Sequence, residues 1–178
     1  MLELAALGLL HKRPLHGYQL TKTLEISMGC CISINYGAIY PLLRRLESHG
    51  FIVPLSAAET AGSSSRIIYR ITQAGRARWR SRMLETPNES WVNSRSRFMV
   101  KAFFFDHLEP GDRKALIQHR LAQCWEREKK LQSNGLLQDL SSYQAQTFEQ
   151  GLKMLEVETQ WLEQLLEQQK SLLSVSSP

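Results

Sequence analysis

The sequence predicts a mainly α-helical protein with one small β-hairpin, divided into two parts. Three observations support this fold class. The first fifty residues hold three segments of helical apolar periodicity, two β-rich runs follow Gly50, and the second half carries long seams of apolar residues spaced four and three apart. The polar break "TPNESWVNS" at 86–94 separates the halves. We therefore expect one domain over residues 1–85 and a helical domain over 86–178.

Two helices are predicted before residue 30. Five leucines between residues 2 and 10 suit a buried first helix, which "KRPLHG" ends through Pro14 and Gly17. Tyr18 opens the apolar stripe of the second helix, which runs to Met28. We expect Tyr18 to pack against its neighbours rather than contact a ligand.

The third predicted helix lies in "SINYGAIYPLLRRLESHGF", residues 33–51. Its apolar side consists of Ile39, Leu42, Leu43 and Leu46, at helical spacing. The other side carries tyrosines and arginines: Tyr36, Tyr40 and Arg44, four residues apart, share one outward face, and Arg45 lies about 100° further round. Asn35 suits either a helix cap or a contact with adenine. Pro41 predicts an irregular first turn.

A hairpin and a fourth helix follow. "FIVPL" and "RIIYRIT" are β-rich and flank the small, polar tip "SAAETAGSSS", so we predict two paired strands. Thr72 is expected to cap a helix that ends at about Leu84. The arginines of this helix alternate at a spacing of two, which spreads them around it and favours a solvated face over a single binding surface.

The second half predicts three further helices. "RFMVKAFFFDHL" suits a helix buried on most sides, "EPGDRKALIQHRLAQCWEREKKLQ" suits a second, and a longer one is expected from about Leu137 to Leu173. An isolated helix of this length would leave its apolar seam in water, so we expect the seam to pack on the other helices and on a second copy of the chain. The predicted dimer-interface residues are Phe148, Leu152, Leu155, Leu162 and Leu166.

Charge and element order together suggest a partner for the first half. Residues 1–82 hold 11 Lys and Arg against 4 Asp and Glu, a net charge of 11 − 4 = +7, whereas residues 83–178 hold 11 against 13, a net of −2. Three helices followed by a hairpin is the order of a winged helix, whose third helix enters the DNA major groove. Tyrosine hydroxyls and guanidinium groups bind phosphate, and Arg also pairs with guanine. The predicted contacts with double-stranded DNA are Asn35, Tyr36, Tyr40, Arg44 and Arg45.

Four segments carry a resemblance to a known family. "LELAALGLL", "PLHGYQL", "YGAIYPLLRRLESHGFI" and "YRITQAGRARW" resemble the PadR family of bacterial transcriptional regulators over about residues 2–82. The resemblance implies a winged helix with a helical C-terminal dimerisation part. It matches "YGAIYP" to the start of the recognition helix, "HGY" to the start of the second helix and residues 63–66 to the wing. It thereby adds His16, Ser64 and Arg66 to the expected DNA contacts.

Dimerisation would give the protein two recognition helices related by a two-fold axis, which read two inverted half-sites. The sequence thus predicts a homodimeric transcriptional regulator that acts as a repressor on an inverted-repeat operator. The alternative is a protein-interaction module whose winged helix no longer binds DNA specifically. A salt-dependent shift on random DNA would distinguish the two.

Catalytic and metal-binding signatures are missing from the sequence. The five histidines are scattered, and no HExxH, CxxC, glycine-rich phosphate loop or nucleophile elbow occurs. We therefore predict neither an enzyme nor a bound metal or cofactor. No apolar run reaches the ~20 residues of a membrane span, and no secretion signal is evident, so we expect a cytoplasmic, nucleoid-associated protein.

Aromatic residues and cysteines leave two questions open. Trp91, Phe98 and Trp125 could line a pocket for a small aromatic effector, because some PadR-like proteins bind such compounds, but core packing explains them equally well. Cys30 and Cys31 lie in the link to the third helix. We expect this pair to be buried and inert rather than a redox switch, in a compartment that keeps thiols reduced.

Overall fold

The computed structural model describes residues 1–55, 67–133 and 140–175, apart from the side chains of Tyr36 and of residues 170–175. The described chain is mainly helical with one small antiparallel sheet, which confirms the predicted fold class. It forms two compact units, Met1–Asp106 and His107–Pro178. The predicted domain boundary after residue 85 falls inside the first compact unit and stays a prediction.

The first unit contains the three expected helices, a small sheet and two further helices. Its elements in chain order are α1 (Leu2–Lys12), β1 (Leu15–His16), α2 (Gly17–Met28), α3 (Tyr36–Ser48), β2 (Ile52–Pro54), β3 (Ile68–Ile71), α4 (Gln73–Leu84) and α5 (Trp91–Phe103). A short 3-10 helix, Phe105–His107, follows. The tip between β2 and β3, with the predicted contacts Ser64 and Arg66, lies outside the described residues.

The sheet has one strand more than the predicted hairpin. Its order is β1–β3–β2, with Leu15 opposite Tyr69 and Ile52 opposite Ile71. The hairpin of β2 and β3 is confirmed, but β1 was not predicted, because two residues are too few to show an alternating pattern. The central position of β3 places Tyr69 beside both neighbouring strands.

Helix α1 forms the centre of the first unit. Every residue from Leu4 to Leu10 is buried, and the helix packs against α2, β3 and α4. Gly8 permits a close approach, since a Cβ there would lie 2.5 Å from the ring of Phe104. The predicted leucine-rich first helix is thereby confirmed, together with the cap of α4, where the Gly75 N–H donates to Thr72 Oγ1 at 3.0 Å.

Helix α5 begins earlier than predicted. It starts at Trp91, with Ser90 as its cap, so the polar break is shorter than residues 86–94. Arg97 Nε lies 2.6 Å from Glu89 Oε1, and the buried Lys101 ammonium donates to the Glu85 carbonyl oxygen. Burial and then the Arg97 guanidinium lower the pKa of Lys101 to about 8. These contacts fix α5 to the segment that follows α4 and explain why the first compact unit extends beyond residue 85.

The second unit is a pair of packed helices, α6 (Pro110–Gln132) and α7 (Ser142–Val175). The predicted seam of α6 is confirmed at Ile117, Leu121 and Cys124, which are all buried. Helix α7 starts later than the predicted Leu137, because the Ser141 N–H donates to Gln144 Oε1 at 2.8 Å. This bond is one half of a capping box and ends the extended chain before Ser142.

A glycine contact in the first unit offers a test of the packing of α4. A Cβ on Gly75 would overlap the carbonyl oxygen of Phe51, whereas a Cβ on Gly151, within α7, meets nothing within 4 Å. We expect Gly75→Ala to lower the free energy of unfolding by about 1–3 kcal/mol, since backbone must move to admit the methyl group. The matched Gly151→Ala should raise it by roughly 0.5–1 kcal/mol, because alanine favours a helix interior. Urea unfolding of both variants would measure this, and equal effects would contradict the described packing.

Candidate nucleic-acid interface

The start of helix α3 is fixed by its cap. The Gly37 N–H donates to Asn35 Oδ1 at 2.9 Å, so Asn35 is observed in the first of its two predicted roles. Pro41 does not interrupt the helix, which runs unbroken from Tyr36, and the expected irregular first turn is wrong. Proline leaves only the carbonyl of Gly37 without its helical donor. Gly37 and Pro41 are both exposed, so water can satisfy that carbonyl.

The predicted orientation of α3 is confirmed. Its four apolar side chains, Ile39, Leu42, Leu43 and Leu46, are buried, which turns the opposite face outward. On that face Tyr40 is 57% exposed, and Arg44 is exposed one turn further along the helix. The backbone of Tyr36 belongs to the first turn, while its side chain lies outside the described part of the structure.

Helix α2 begins beside this face, and His16 caps it. The Gln19 N–H donates to His16 Nδ1 at 3.1 Å, so in the neutral ring the proton is on Nε2 and can be donated outward. The ring of Tyr18 stacks on that of His16 with centroids 6.3 Å apart. Tyr18 therefore packs on its neighbour as expected, but at 59% exposure it does not belong to the buried stripe of α2. The buried place at this end of α2 is taken by Gly17.

Gly17 sets how closely α3 can approach α2. A Cβ there would lie 2.9 Å from Tyr40 Cε1 and 3.2 Å from Leu43 Cδ1. The Tyr40 ring therefore rests on the backbone of α2, and its hydroxyl extends beyond it. Gly17 was expected to help end α1, but α1 ends at Lys12 and Gly17 opens α2, so its close contact with α3 was not predicted. The signal was present, because a glycine directly after a helix cap often marks a close approach between chain segments.

These elements together form a groove of about 530 Å³. It is lined by His16, Gly17, Tyr18, Tyr40, Arg44, Ile67 and Tyr69. The polar side chains of this lining are three phenols, an imidazole and a guanidinium, with no carboxylate. All of them can donate hydrogen bonds, which suits an anionic partner such as a phosphate.

Tyr69 was missed by sequence reasoning. It alternates with Arg70 in β3 and is buried like Ile71, so the pattern alone indicates a core residue. Burial and then the Glu47 carboxylate raise the pKa of Tyr69, which keeps its hydroxyl protonated. Its place in the groove depends on β1, which brings His16 alongside β3, opposite Ile68.

Arg45 lies on a different side of α3 from Arg44. Its Nη2 atom is 3.8 Å from Glu3 Oε2, and Arg78 Nε is 2.8 Å from the other oxygen of that carboxylate. Arg82 Nη1 forms a second ion pair with Glu85 at 2.8 Å. Arg78 and Arg82 are half-buried and bind carboxylates within the chain, whereas Arg76 and Arg80 are exposed, as expected for a solvated face. A contact between Arg45 and DNA stays a prediction.

The predicted effector residues differ in their surroundings. Phe98 is buried and meets the ring of Phe105 edge to face, with centroids 5.9 Å apart, so it serves as a core residue. Trp91 is half-buried in the first unit, and Trp125 is exposed in the second. An effector pocket that involves them stays a prediction.

The described residues offer neither a metal site nor a membrane-spanning helix. Within residues 1–55, 67–133 and 140–175, no three His, Cys, Asp or Glu side chains are grouped closely enough to hold a metal ion. None of the described helices combines the length and the apolar character that crossing a membrane requires.

Sequence comparisons identify both halves of the chain. The profile of the transcriptional regulator PadR-like family matches residues 6–81, and that of the virulence activator alpha C-terminal region matches residues 94–170. Residues 6–81 therefore form a domain of the PadR-like family of transcriptional regulators. Members of this family are regulators rather than enzymes, which confirms that prediction.

Individual relatives are more distant. The negative transcriptional regulator PadR of Bacillus subtilis (strain 168) is 28% identical over 124 residues, which cover 68% of this chain and 65% of that protein. The crystal structure of Bacillus subtilis PadR with operator DNA is similar at 24% identity and a TM-score of 0.46, covering 94% of this chain and 97% of that one. The structure of that protein with p-coumaric acid is similar at 24% identity and a TM-score of 0.44, and the match covers 98% of this chain and 97% of that one. A PadR-like regulator from Bacillus cereus is similar at 20% identity and a TM-score of 0.43, and the match covers 96% of this chain and 99% of that one. Because these TM-scores are below 0.5, the family assignment rests on the sequence matches.

Arg44 provides the sharpest test of the groove. We expect Arg44→Ala to weaken binding to a selected DNA site by about 1–3 kcal/mol if the guanidinium contacts a base. The matched control is Arg80→Ala, which removes the same charge from the exposed surface of α4. Fluorescence anisotropy would give the affinities, and thermal melting should show both variants as stable as the wild type. If the two variants lost affinity equally, Arg44 would contribute to DNA binding only through its positive charge, and the groove would have no specific role.

Proposed function

We propose that the protein is a homodimeric transcriptional repressor that binds an inverted-repeat operator through helix α3. The observation that carries this proposal is the groove of hydrogen-bond donors beside Tyr40 and Arg44, on the outward face of a helix whose other face is buried. A helix so oriented can enter the major groove while its neighbours contact the backbone. The chromosome, in the cytoplasm, is then its place of action.

The charges of the first unit support a polyanionic partner. Of the 11 Lys and Arg in residues 1–82, Arg45, Arg78 and Arg82 lie beside the Glu3 carboxylate, which is already counted in the net charge of +7. Arg44 faces the groove instead. Basic residues raise affinity for any DNA sequence, and groups within the major groove must supply the discrimination. Arg44 is the side chain of the described groove best suited to that role, because it can pair with guanine.

Dimerisation is proposed through helix α7. Leu155 and Leu162, two of the predicted interface residues, are already buried within one chain, so their apolar surface is not available to a partner. Phe148, Leu152 and Leu166 are only half-buried and stay candidates for the interface.

A second stripe on α7 is available to a partner. Tyr143 is 83% exposed, Val157 is 65% exposed, and Met154 lies exposed between them. Positions 143, 154 and 157 lie within about 60° of one another on a helix of 3.6 residues per turn. An apolar stripe of this kind on a long helix suits contact with the same stripe of a second copy, as in a two-fold interface.

A small aromatic effector completes the proposal. The exposed Trp125 indole is a large apolar surface that an aromatic ring could cover. The structure with p-coumaric acid concerns the Bacillus subtilis protein, and that compound is a suitable first probe for this chain. Quenching of tryptophan fluorescence that saturates with p-coumaric acid, and that is reduced in Trp125→Phe, would support an effector site here.

The proposed function is tested by selecting DNA from a random pool with the full chain. We expect an enriched inverted repeat whose half-sites are separated by one or more helical turns. A reporter placed behind that site should be repressed by the wild type and released by Arg44→Ala. Enrichment of no sequence, with only salt-dependent binding to random DNA, would favour the protein-interaction alternative.

The interface is tested by placing a charge on each stripe of α7. We expect Val157→Glu to yield a folded monomer, because it charges the exposed stripe without entering the core. Leu162→Glu should instead unfold the second unit, since Leu162 is fully buried and a carboxylate there has no partner. Gln160→Glu, an exposed position off the stripe, is the control that keeps the dimer. Light scattering and circular dichroism separate the outcomes, and a dimeric Val157→Glu would place the interface elsewhere.

A further inference from the structure

Two adjacent thiols lie at the end of α2. Cys30 is exposed and Cys31 is half-buried, so the expected burial of this pair is wrong. Ile32 occupies the buried position instead, and its N–H and that of Cys31 both donate to the Met28 carbonyl oxygen, at 3.0 and 2.8 Å. This turn holds the two Sγ atoms 3.4 Å apart. Solvent can therefore reach a pair of sulfur atoms whose backbone is fixed.

The geometry does not suit a direct disulfide. The peptide bond between Cys30 and Cys31 is trans, which sets their Cα atoms about 3.8 Å apart. Disulfide-bonded cysteines usually have Cα atoms about 4.4–6.8 Å apart. The two sulfurs are better placed to bind one atom that lies between them.

The separation of the sulfurs limits which atom this can be. With bonds of about 2.3 Å, typical of zinc–sulfur bonds, sulfurs at the observed 3.4 Å subtend an angle of about 95°. A linear two-coordinate cation with bonds of this length would need sulfurs about 4.6 Å apart. Tetrahedral zinc would need an S–Zn–S angle of about 109° and two further ligands. The described residues provide no third metal ligand nearby. A pyramidal, thiophilic centre that brings its own third substituent fits both the angle and the two donors.

We propose that Cys30 and Cys31 bind a trivalent arsenical through both sulfur atoms. In the reaction with an aryl arsenic dihydroxide, two As–S bonds form while two As–O bonds and two S–H bonds break. Each thiol proton leaves with one hydroxyl group as water. Arsenic stays trivalent and neither sulfur is oxidised, so no other reactant is needed. The aryl group is the third substituent.

The protonation of Cys31 matches the species consumed in this reaction. Burial, and then the contact with the Cys30 thiol, raise the pKa of Cys31 to about 11. Its thiol is therefore in the S–H form at neutral pH. Because the two sulfur atoms lie 3.4 Å apart, the second As–S bond is intramolecular, which favours reagents with two exchangeable ligands over reagents that bind a single thiol.

The position of the site links it to α3. The thiols lie in the turn between α2 and the Asn35 cap, so a bound phenylarsenic group adds bulk to the segment that sets the start of α3. Occupation should therefore weaken operator binding. This consequence rests on the proposed function, whereas arsenical binding itself does not.

Phenylarsine oxide and the full chain provide the test. Intact-mass measurements should show one phenylarsenic group on the wild type and on Cys124→Ser, whose thiol is buried in the second unit. Cys30→Ser and Cys31→Ser should each bind at least about tenfold more weakly, because the second bond is intramolecular only in the pair. A dithiol should remove the adduct, and a monothiol at the same thiol concentration should not. Equal binding by the single variants, or loss in Cys124→Ser, would overturn the site.

The consequence for DNA is tested separately on the sequence selected with untreated protein. Phenylarsine oxide should weaken binding by the wild type at least about threefold, which is about 0.7 kcal/mol or more, and leave the double serine variant unchanged. An adduct without a change in affinity would remove the link to α3 and keep the site. Failure of the untreated chain to select DNA would refute the proposed function and leave the mass measurement to decide the arsenical site.

Discussion

The burial of one side of α3 is the constraint on which the functional surface depends. Successive residues of a helix are about 100° apart, so placing Ile39, Leu43 and Leu46 in the core determines where every other side chain of this helix points. Tyr40 and Arg44 then face solvent, and Arg45 is turned towards Glu3. Two adjacent arginines thus have different environments because the core, rather than their own chemistry, sets the rotation of the helix.

The same constraint explains what could be predicted from the sequence. The apolar spacing of α3 is a local signal and was read correctly, whereas Asn35 was given two possible roles, of which the cap is observed. Tyr69 could not be placed in the groove, because its neighbours depend on a pairing between β1 and β3 that bridges more than fifty residues of chain. The stacking of Tyr18 on a neighbouring ring was expected, but its exposure was not, because an aromatic residue in helical register reads as part of the apolar stripe.

Element types were easier to predict than the partners of those elements. The helical character of α5 was evident from its composition, but its attachment to the first unit depends on Lys101 and Arg97, whose carboxylate and carbonyl partners lie outside the helix. In the second unit, Arg120 is 1% exposed and its Nε donates to Glu158 Oε1 at 2.8 Å. Charged residues usually predict solvent exposure, and no pattern in the sequence pairs two of them across α6 and α7. Such a pair adds little net stability but penalises any other register of the two helices, because a shift would leave a buried charge alone.

Pro41 has a mechanical consequence for α3. A helix bends where its hydrogen-bonded ladder is incomplete, and the missing N–H of Pro41 removes the bond to Gly37. The turn from Tyr36 to Tyr40 is therefore joined to the remainder of α3 by fewer bonds than any other turn within it, while its front end is held by Asn35. Leu42, Leu43 and Leu46 anchor the rear of the helix in the core. Ile39 and the Tyr40 ring hold the end of this turn against the protein, so the freedom left by Pro41 belongs to Tyr36 to Ala38, and these residues can adjust to an uneven surface without disturbing the packing behind them.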